Sequence, residues 1–211
     1  MKIRITIRTI IFIFLIAVSF PEQSDAATKF RSPLSTFKDP AFSAYRDDDR
    51  STTRIKDYKC GTTTYSQHDG TDFRASVSTQ VYSGAAGGAY LTYNLCTTYG
   101  SMSSTCGPGS YGNQVRIDHA GTNYADGRGL MTLYGHLEKG TVIGQASLLC
   151  AAKIGKTGSS GMSEGPHLHF EVRTDGAYVS TSIDPFSGTC SQATSYWVSV
   201  GSTGKPGTSC Q

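Results

Sequence analysis

The chain has 211 residues, 37% of them hydrophobic and 17% charged, with a formal net charge of +3. Its lysines and arginines form no clustered stripe, which excludes the electrostatic footprint of a nucleic-acid binder, and beyond the N-terminus no apolar run approaches the roughly 18 residues of a membrane-spanning helix. With 24 glycines, 12 tyrosines and 6 cysteines, and no convincing 3.6-residue periodicity, the chain reads as one mainly antiparallel β domain.

At the N-terminus, Lys2, Arg4 and Arg8 flank an apolar run over 10–20, and Ser24-Asp25-Ala26 supplies small residues for cleavage. This pattern is that of a signal peptide over 1–26, and it predicts a periplasmic or secreted protein. The segment 27–58 is polar and irregular, interrupted by Pro33 and Pro40, and carries the mixed cluster Arg46-Asp47-Asp48-Asp49-Arg50. It is expected to be a first strand with a loop, or an arm lying across the groove and inhibiting it. The domain proper is expected over 59–211, including a C-terminal tail.

His68 and Asp72 stand four apart with Gly70 between them. An imidazole and a carboxylate can both ligate zinc, and a glycine permits the tight backbone path that lets them converge. Taken alone, the spacing is more often that of a surface turn. Short β-type runs follow over 79–83, 89–95, 114–119, 130–137 and 167–173, with loops expected at the glycine-rich stretches 84–88, 107–112 and 155–165. Within 130–137, Thr132, Tyr134 and His136 alternate onto one face and Met131, Leu133 and Leu137 onto the other. Within 167–173, Leu168, Phe170 and Val172 share an apolar face, and His167, His169, Glu171 and Arg173 share the polar one. Two imidazoles at that spacing are roughly 7 Å apart. That suits one metal ligand with one neighbour poised beside it better than two ligands to one ion.

The cysteines, Cys60, Cys96, Cys106, Cys150, Cys190 and Cys210, are even in number in a chain that carries an export signal, which argues for disulfides. No C-x-x-C spacing supports a cysteine zinc site. Proximity suggests Cys96 with Cys106, closing a Gly/Ser-rich loop, and Cys190 with Cys210, tying down the tail.

Together the histidine clusters reinforce one another. Two histidines and one carboxylate are the protein ligands typical of a catalytic zinc, which keeps a further position for water. His68, Asp72 and one histidine of the H-x-H pair would provide them. The remaining histidines could then take a proton or hydrogen-bond a developing oxyanion.

The ordered set H-x-G-x-D, YGHL and G-x-x-G-S-S-G-x-S-x-G-P-H-L-H-F-E-V closely resembles the lysostaphin/LytM-type zinc metalloendopeptidases, peptidoglycan hydrolases of metallopeptidase family twenty-three. The likeness runs from about 32–34 to 183–185. It implies an antiparallel β-sheet fold of the duplicated hybrid motif type, with long loops around a groove. It also implies one Zn2+ per chain held by His68, Asp72 and His169, with His136 and His167 as the catalytic histidines. His167 is assigned as general base and His136 as orienter and stabiliser of the tetrahedral intermediate, two roles that could be exchanged. His119, where relatives often carry a strand histidine, is read as structural. The implied activity is hydrolysis of peptide cross-links of bacterial peptidoglycan by a zinc-activated water, in a monomer whose partners are peptidoglycan stems. An exported antibacterial toxin with the same chemistry, and a non-catalytic module regulating other wall hydrolases, are the alternatives. The chain departs from the family pattern in its disulfides, in the longer segment 142–154 and in the enlarged loop 96–106, which put specificity rather than chemistry in question.

Overall fold

A computed structural model describes residues 28–119, 129–174 and 182–211. The expected signal peptide over 1–26 lies outside these residues. Ten strands follow in order: β1 Phe42–Ala44, β2 Thr71–Arg74, β3 Gln80–Tyr82, β4 Gly87–Tyr93, β5 Asn113–His119, β6 Leu130–Leu137, β7 Ala146–Leu148, β8 Lys153–Lys156, β9 His167–Thr174 and β10 Ser182–Ile183, with one short 3-10 turn at Pro108–Ser110. The main sheet is antiparallel in the order β1-β2-β9-β6-β5-β4-β7, and β3 pairs β8 separately. The long strands fall where alternation places them. The first strand expected within 27–58 is β1, and the strands not anticipated from sequence, β2, β7, β8 and β10, span two to four residues each, too short to display a period of two.

Strand β9 sits at the centre. One edge is hydrogen-bonded to β6, and the other is shared, β2 taking His167 to Phe170 and β10 taking Val172 and Arg173. Leu168, Phe170 and Val172 point into the core as the alternation requires, all fully buried. The opposite face is buried too: His169, Glu171 and Arg173 are each less than 5% exposed. A polar face without water must satisfy its groups internally, and the functional residues of that face meet this demand among themselves.

The core side is closed by both ends of the described chain. Phe30, Leu34 and Phe42 from the N-terminal segment and Phe186 and Trp197 from the tail are buried against it. Trp197 stacks on Phe170 at 5.4 Å between ring centroids, and Phe30 exchanges backbone hydrogen bonds with Tyr196 and Val198. Each such side chain contributes about 1.5–3 kcal/mol by leaving water. The N-terminal segment from Thr28 onward is therefore packed into the sheet's core layer, with β1 paired to β2, and it does not lie across the groove as a detachable arm. His119 is fully buried, its ring bridging the Ala86 carbonyl at 2.7 Å and the Thr132 hydroxyl at 2.8 Å. Those contacts fit a structural role.

Three disulfides staple the domain: Cys60–Cys190, Cys96–Cys106 and Cys150–Cys210. The loop-closing bridge is the one expected, but Cys190 does not pair with Cys210. Sequence proximity misled because the tail crosses the core, which carries Cys190 to the turn at Cys60 before β2 and Cys210 to the turn after β7. In a chain-entropy view, loss of the bridge spanning 130 residues should cost about 5 kcal/mol, against about 3 for the one spanning 10. Chemical denaturation of the Cys60→Ala/Cys190→Ala and Cys96→Ala/Cys106→Ala double variants is expected to show that order. The reverse order would mean that the tail is held by its aromatic packing alone.

Candidate metal centre

The register of three adjacent strands builds the centre. Asp72 of β2 lies opposite His169 of β9, and Gly135 of β6 lies opposite His169 on the other side. Opposed residues project to the same face. His68 arrives from the turn before β2, and Gly70 makes that turn possible in an unexpected way. A side chain there would meet the Phe170 carbonyl oxygen at 2.5 Å and the His169 ring at 2.8 Å. Its bareness thus allows close approach to β9, while its φ is an ordinary one.

His68, Asp72 and His169 bring one ligand atom each to within 4.8 Å of one another, all three residues buried. The nitrogen Nε2 of His68 is 3.2 Å from Asp72 Oδ1, and Nδ1 of His169 is 2.8 Å from the same oxygen. The opposite nitrogens are occupied. Nδ1 of His68 faces the Tyr45 carbonyl at 2.6 Å, and Nε2 of His169 faces Glu171 Oε1 at 2.8 Å. Those oxygens only accept, so with a cation on the shared side each neutral ring would keep its N–H towards them and turn its lone pair to the cation. Two lone pairs and a carboxylate oxygen directed at one point, with both imidazoles braced from behind, form a donor set that fits a zinc-type cation.

Burial lowers the proton affinity of His169, but the Asp72 and Glu171 carboxylates outweigh it and raise it to about 10, so a cation binding here must displace a proton. Burial pushes the Asp72 carboxyl up, but the surrounding imidazoles of His68, His169 and His167 outweigh it and hold the group well below the usual carboxylate range. Burial likewise disfavours the charge of Glu171, yet its contacts with His169 and Arg173 bring it down to about 2. Glu171 is therefore a charged acceptor that anchors the His169 ring.

His167 and His136 flank the centre. His167 Nδ1 faces the Gly165 carbonyl at 2.8 Å, and its Nε2 is 3.6 Å from Asp72 Oδ1. His136 departs from the expected pleat. Its φ is 58°, a left-handed conformation that is uncommon outside glycine. Between Val115↔Tyr134 and Asn113↔Leu137 the β6 strand spends one residue more than β5, so a bulge interrupts the alternation. As a result His136 leaves the face of Thr132 and Tyr134 and joins the polar side, while Leu137 turns into the core. The bulge is clamped by His136 N–H to the Tyr111 carbonyl at 2.8 Å and Gly158 N–H to the His136 carbonyl at 3.0 Å. His136 Nδ1 faces the Ser160 carbonyl at 2.7 Å, and its ring centroid is 4.7 Å from that of His167. Burial first, then the neighbouring His167 and His169, push its proton affinity down to about 3.

Several supporting residues escaped the sequence reading. Tyr45 gives the carbonyl that orients His68. Buried Asp47 accepts hydrogen bonds from the backbone of Asp49, Lys56 and Gln67 and donates its own N–H to the His68 carbonyl at 2.9 Å. Tyr65 stacks on the His68 ring at 4.1 Å. Tyr65 is half-exposed as a residue, yet burial and the nearby Asp72 charge push its phenol far up and keep it a neutral donor. Only Glu171 was within reach of strand alternation. The others join the site across long separations that no local pattern reports.

A cleft of about 610 Å³ opens over the centre, bordered by Tyr65, Arg74, Met102, Met162, His136 and His167. A smaller hollow of about 140 Å³ lies on the side of His68, Tyr111 and His169. Residues 66–181 match peptidase family M23. The chain is 35% identical over 113 residues to the DD-carboxypeptidase/endopeptidase Mpg of Neisseria meningitidis, covering 54% of this chain and 21% of that protein. It is 32% identical over 105 residues to the peptidoglycan DD-endopeptidase ShyA of Vibrio cholerae, covering 50% and 20%. The chain thus spans about a fifth of the length of these curated relatives. Among solved structures, the catalytic domain of the antimicrobial peptidase lysostaphin from Staphylococcus simulans aligns with 28% identity and a TM-score of 0.41, over 56% of this chain and 75% of that one. With the family's pattern covering more than half of its residues, the chain belongs to peptidase family M23.

Proposed function

We propose that the protein is a zinc-dependent endopeptidase that hydrolyses peptide cross-links of bacterial peptidoglycan, as a monomer with one zinc ion held by His68, Asp72 and His169. The convergence of those three ligand atoms, with each imidazole braced by an acceptor on its far nitrogen, carries the reading. The names of the relatives, a carboxypeptidase/endopeptidase and a peptidoglycan endopeptidase, supply the substrate class. Bound zinc supplies the positive charge that polarises a scissile carbonyl and makes water a competent nucleophile near neutral pH.

The chain's own groups do the rest. His167, its Nδ1–H directed at Gly165, presents Nε2 beside Asp72 at the open side of the cleft and serves as general base, taking a proton from the attacking water and returning it to the leaving amine. His136 holds its N–H on Ser160, so its Nε2 is an acceptor that orients the same water. It can donate towards an oxyanion only after gaining a proton. The Tyr65 hydroxyl is a neutral donor at the cleft, placed to bind the carbonyl oxygen as negative charge develops on it. The domain is assigned to 59–211, with 28–58 as an integral support for His68. The disulfides suit an oxidising compartment, in line with export by a signal peptide over 1–26. No helix among the described residues is long and apolar enough to cross a membrane.

Incubation of the purified protein with isolated peptidoglycan should release peptide-cleaved fragments, identifiable by mass spectrometry, and a zinc chelator should stop the release. His169→Ala should lose the metal, whereas His167→Ala should retain it and lose at least about a hundredfold in turnover. Normal turnover by His167→Ala would remove it as the base. Glu171→Gln keeps the shape of the anchor but not its charge, and zinc affinity measured by competition is expected to fall about ten- to a hundredfold.

A further inference from the structure

Arg74 follows Asp72 by two residues on β2, so the two side chains project from the same face. It lies directly opposite His167 in the β2–β9 ladder, where opposed Cβ atoms are about 4.5–5.5 Å apart. Its side chain borders the 610 Å³ cleft together with Asp72 and His167, and among the described residues bordering that cleft it is the one cation. The backbone holding it is fixed on both sides, Arg74 N–H donating to the Ala41 carbonyl at 2.8 Å and Lys38 N–H donating to the Arg74 carbonyl at 3.0 Å.

The guanidinium itself is underused. It makes one contact, Nη1 to the Asp39 carbonyl at 3.5 Å, at the limit of a hydrogen bond. No carboxylate among the described residues pairs with it, although Glu164 borders the same cleft. A guanidinium carries five donors in a planar fork that matches a carboxylate in two parallel bonds. Beyond the Asp39 contact that capacity is uncommitted, on a residue that borders the cleft.

The geometry points to a carboxylate subsite: Arg74 binds a free carboxylate of the peptide substrate, one or two residues from the bond that is cut. This rests on the peptidase reading above for the identity of the cleft. The distance follows from strand spacing. Two residues of β2 separate Arg74 from the candidate metal ligand Asp72, roughly 7 Å, and an extended peptide covers about 3.3–3.6 Å per residue. Such a carboxylate has two chemical sources, the C-terminus of the peptide and the side chain of an acidic or dicarboxylic diamino acid residue. Because the subsite grips a group that does not react, it acts mainly on substrate binding and so on KM.

The test uses two pairs of synthetic stem peptides with the full-length zinc-loaded protein. In one pair the C-terminus is acid or amide, and in the other the side-chain carboxylate is free or amidated. The parent is expected to prefer the acid member of one pair by about tenfold or more in kcat/KM, the worth of a charge-assisted hydrogen bond, and the responding pair names the source. Arg74→Gln should erase that preference through KM with little change in kcat, and Arg74→Lys should keep part of it. Equal handling of both pairs by the parent, or a preference that survives Arg74→Gln, overturns the subsite and leaves the peptidase reading standing. If the parent cuts none of the peptides, the peptidase reading fails instead. Calorimetric titration of the same uncut peptides then decides the subsite alone, an acid preference lost in Arg74→Gln supporting it and equal affinity rejecting it.

Discussion

Everything at this centre depends on the position of one strand. β9 is hydrogen-bonded along both edges, and His169 is held opposite Asp72 on one side and Gly135 on the other. A slip of one residue in either ladder would exchange the faces of β9, turning His169 into the core and Leu168, Phe170 and Val172 out onto the polar side. The apolar set Leu168, Phe170 and Val172, locked under Trp197 and Phe73, makes that slip prohibitively costly. Packing on one side of the strand therefore fixes the chemistry on the other. Burying polar residues on that second face demands partners for each. The chain His169, Glu171, Arg173 and then Tyr111 provides them, Arg173 Nη2 reaching the Tyr111 hydroxyl at 3.1 Å.

The second device is a local breach of the β pleat. A left-handed residue other than glycine costs on the order of 1–3 kcal/mol and persists only where its surroundings insist on it. At His136 the insistence comes from two backbone hydrogen bonds, to Tyr111 and from Gly158, and from the Ser160 carbonyl on its ring. Ser160 is itself bound by its hydroxyl to the Leu137 carbonyl and to the backbone of Asn113. Asn113 reaches on to Cys96, accepting from its N–H and donating to its carbonyl. The loop closed by Cys96–Cys106, which carries Met102 to the cleft, is thereby tied to the same knot that turns His136. The wall of the groove and the position of a candidate catalytic ring share one set of supports.

Much of this was legible in the sequence, for identifiable reasons. The faces of β9 follow from a period of two over eight residues, and the motifs around His68, Asp72 and His136 carry the family's signature in order. The face of His136 was not legible, because alternation counted through Tyr134 assumes an unbroken pleat. Gly135 was the available cue, since a glycine within a strand often marks a bulge, although the unusual backbone is at His136 itself. The supports from Tyr45 and Asp47 join His68 across more than twenty residues of irregular chain, and no spacing rule reaches them. The pairing of Cys60 with Cys190 is likewise a property of where the tail crosses the core. Within the charge cluster Arg46-Asp47-Asp48-Asp49-Arg50 no spacing singles out Asp47, whose carboxylate accepts from three backbone donors in a buried position.

The central claim is that two imidazoles and one carboxylate, brought together by the β2–β9 register and the turn at Gly70, hold a single zinc ion. X-ray absorption at the zinc edge of the purified protein tests it most directly. The account predicts one zinc per chain, a first shell of nitrogen and oxygen only, and the outer-shell scattering of two imidazole rings. A sulfur shell, or a zinc spectrum without imidazole scattering, would contradict it.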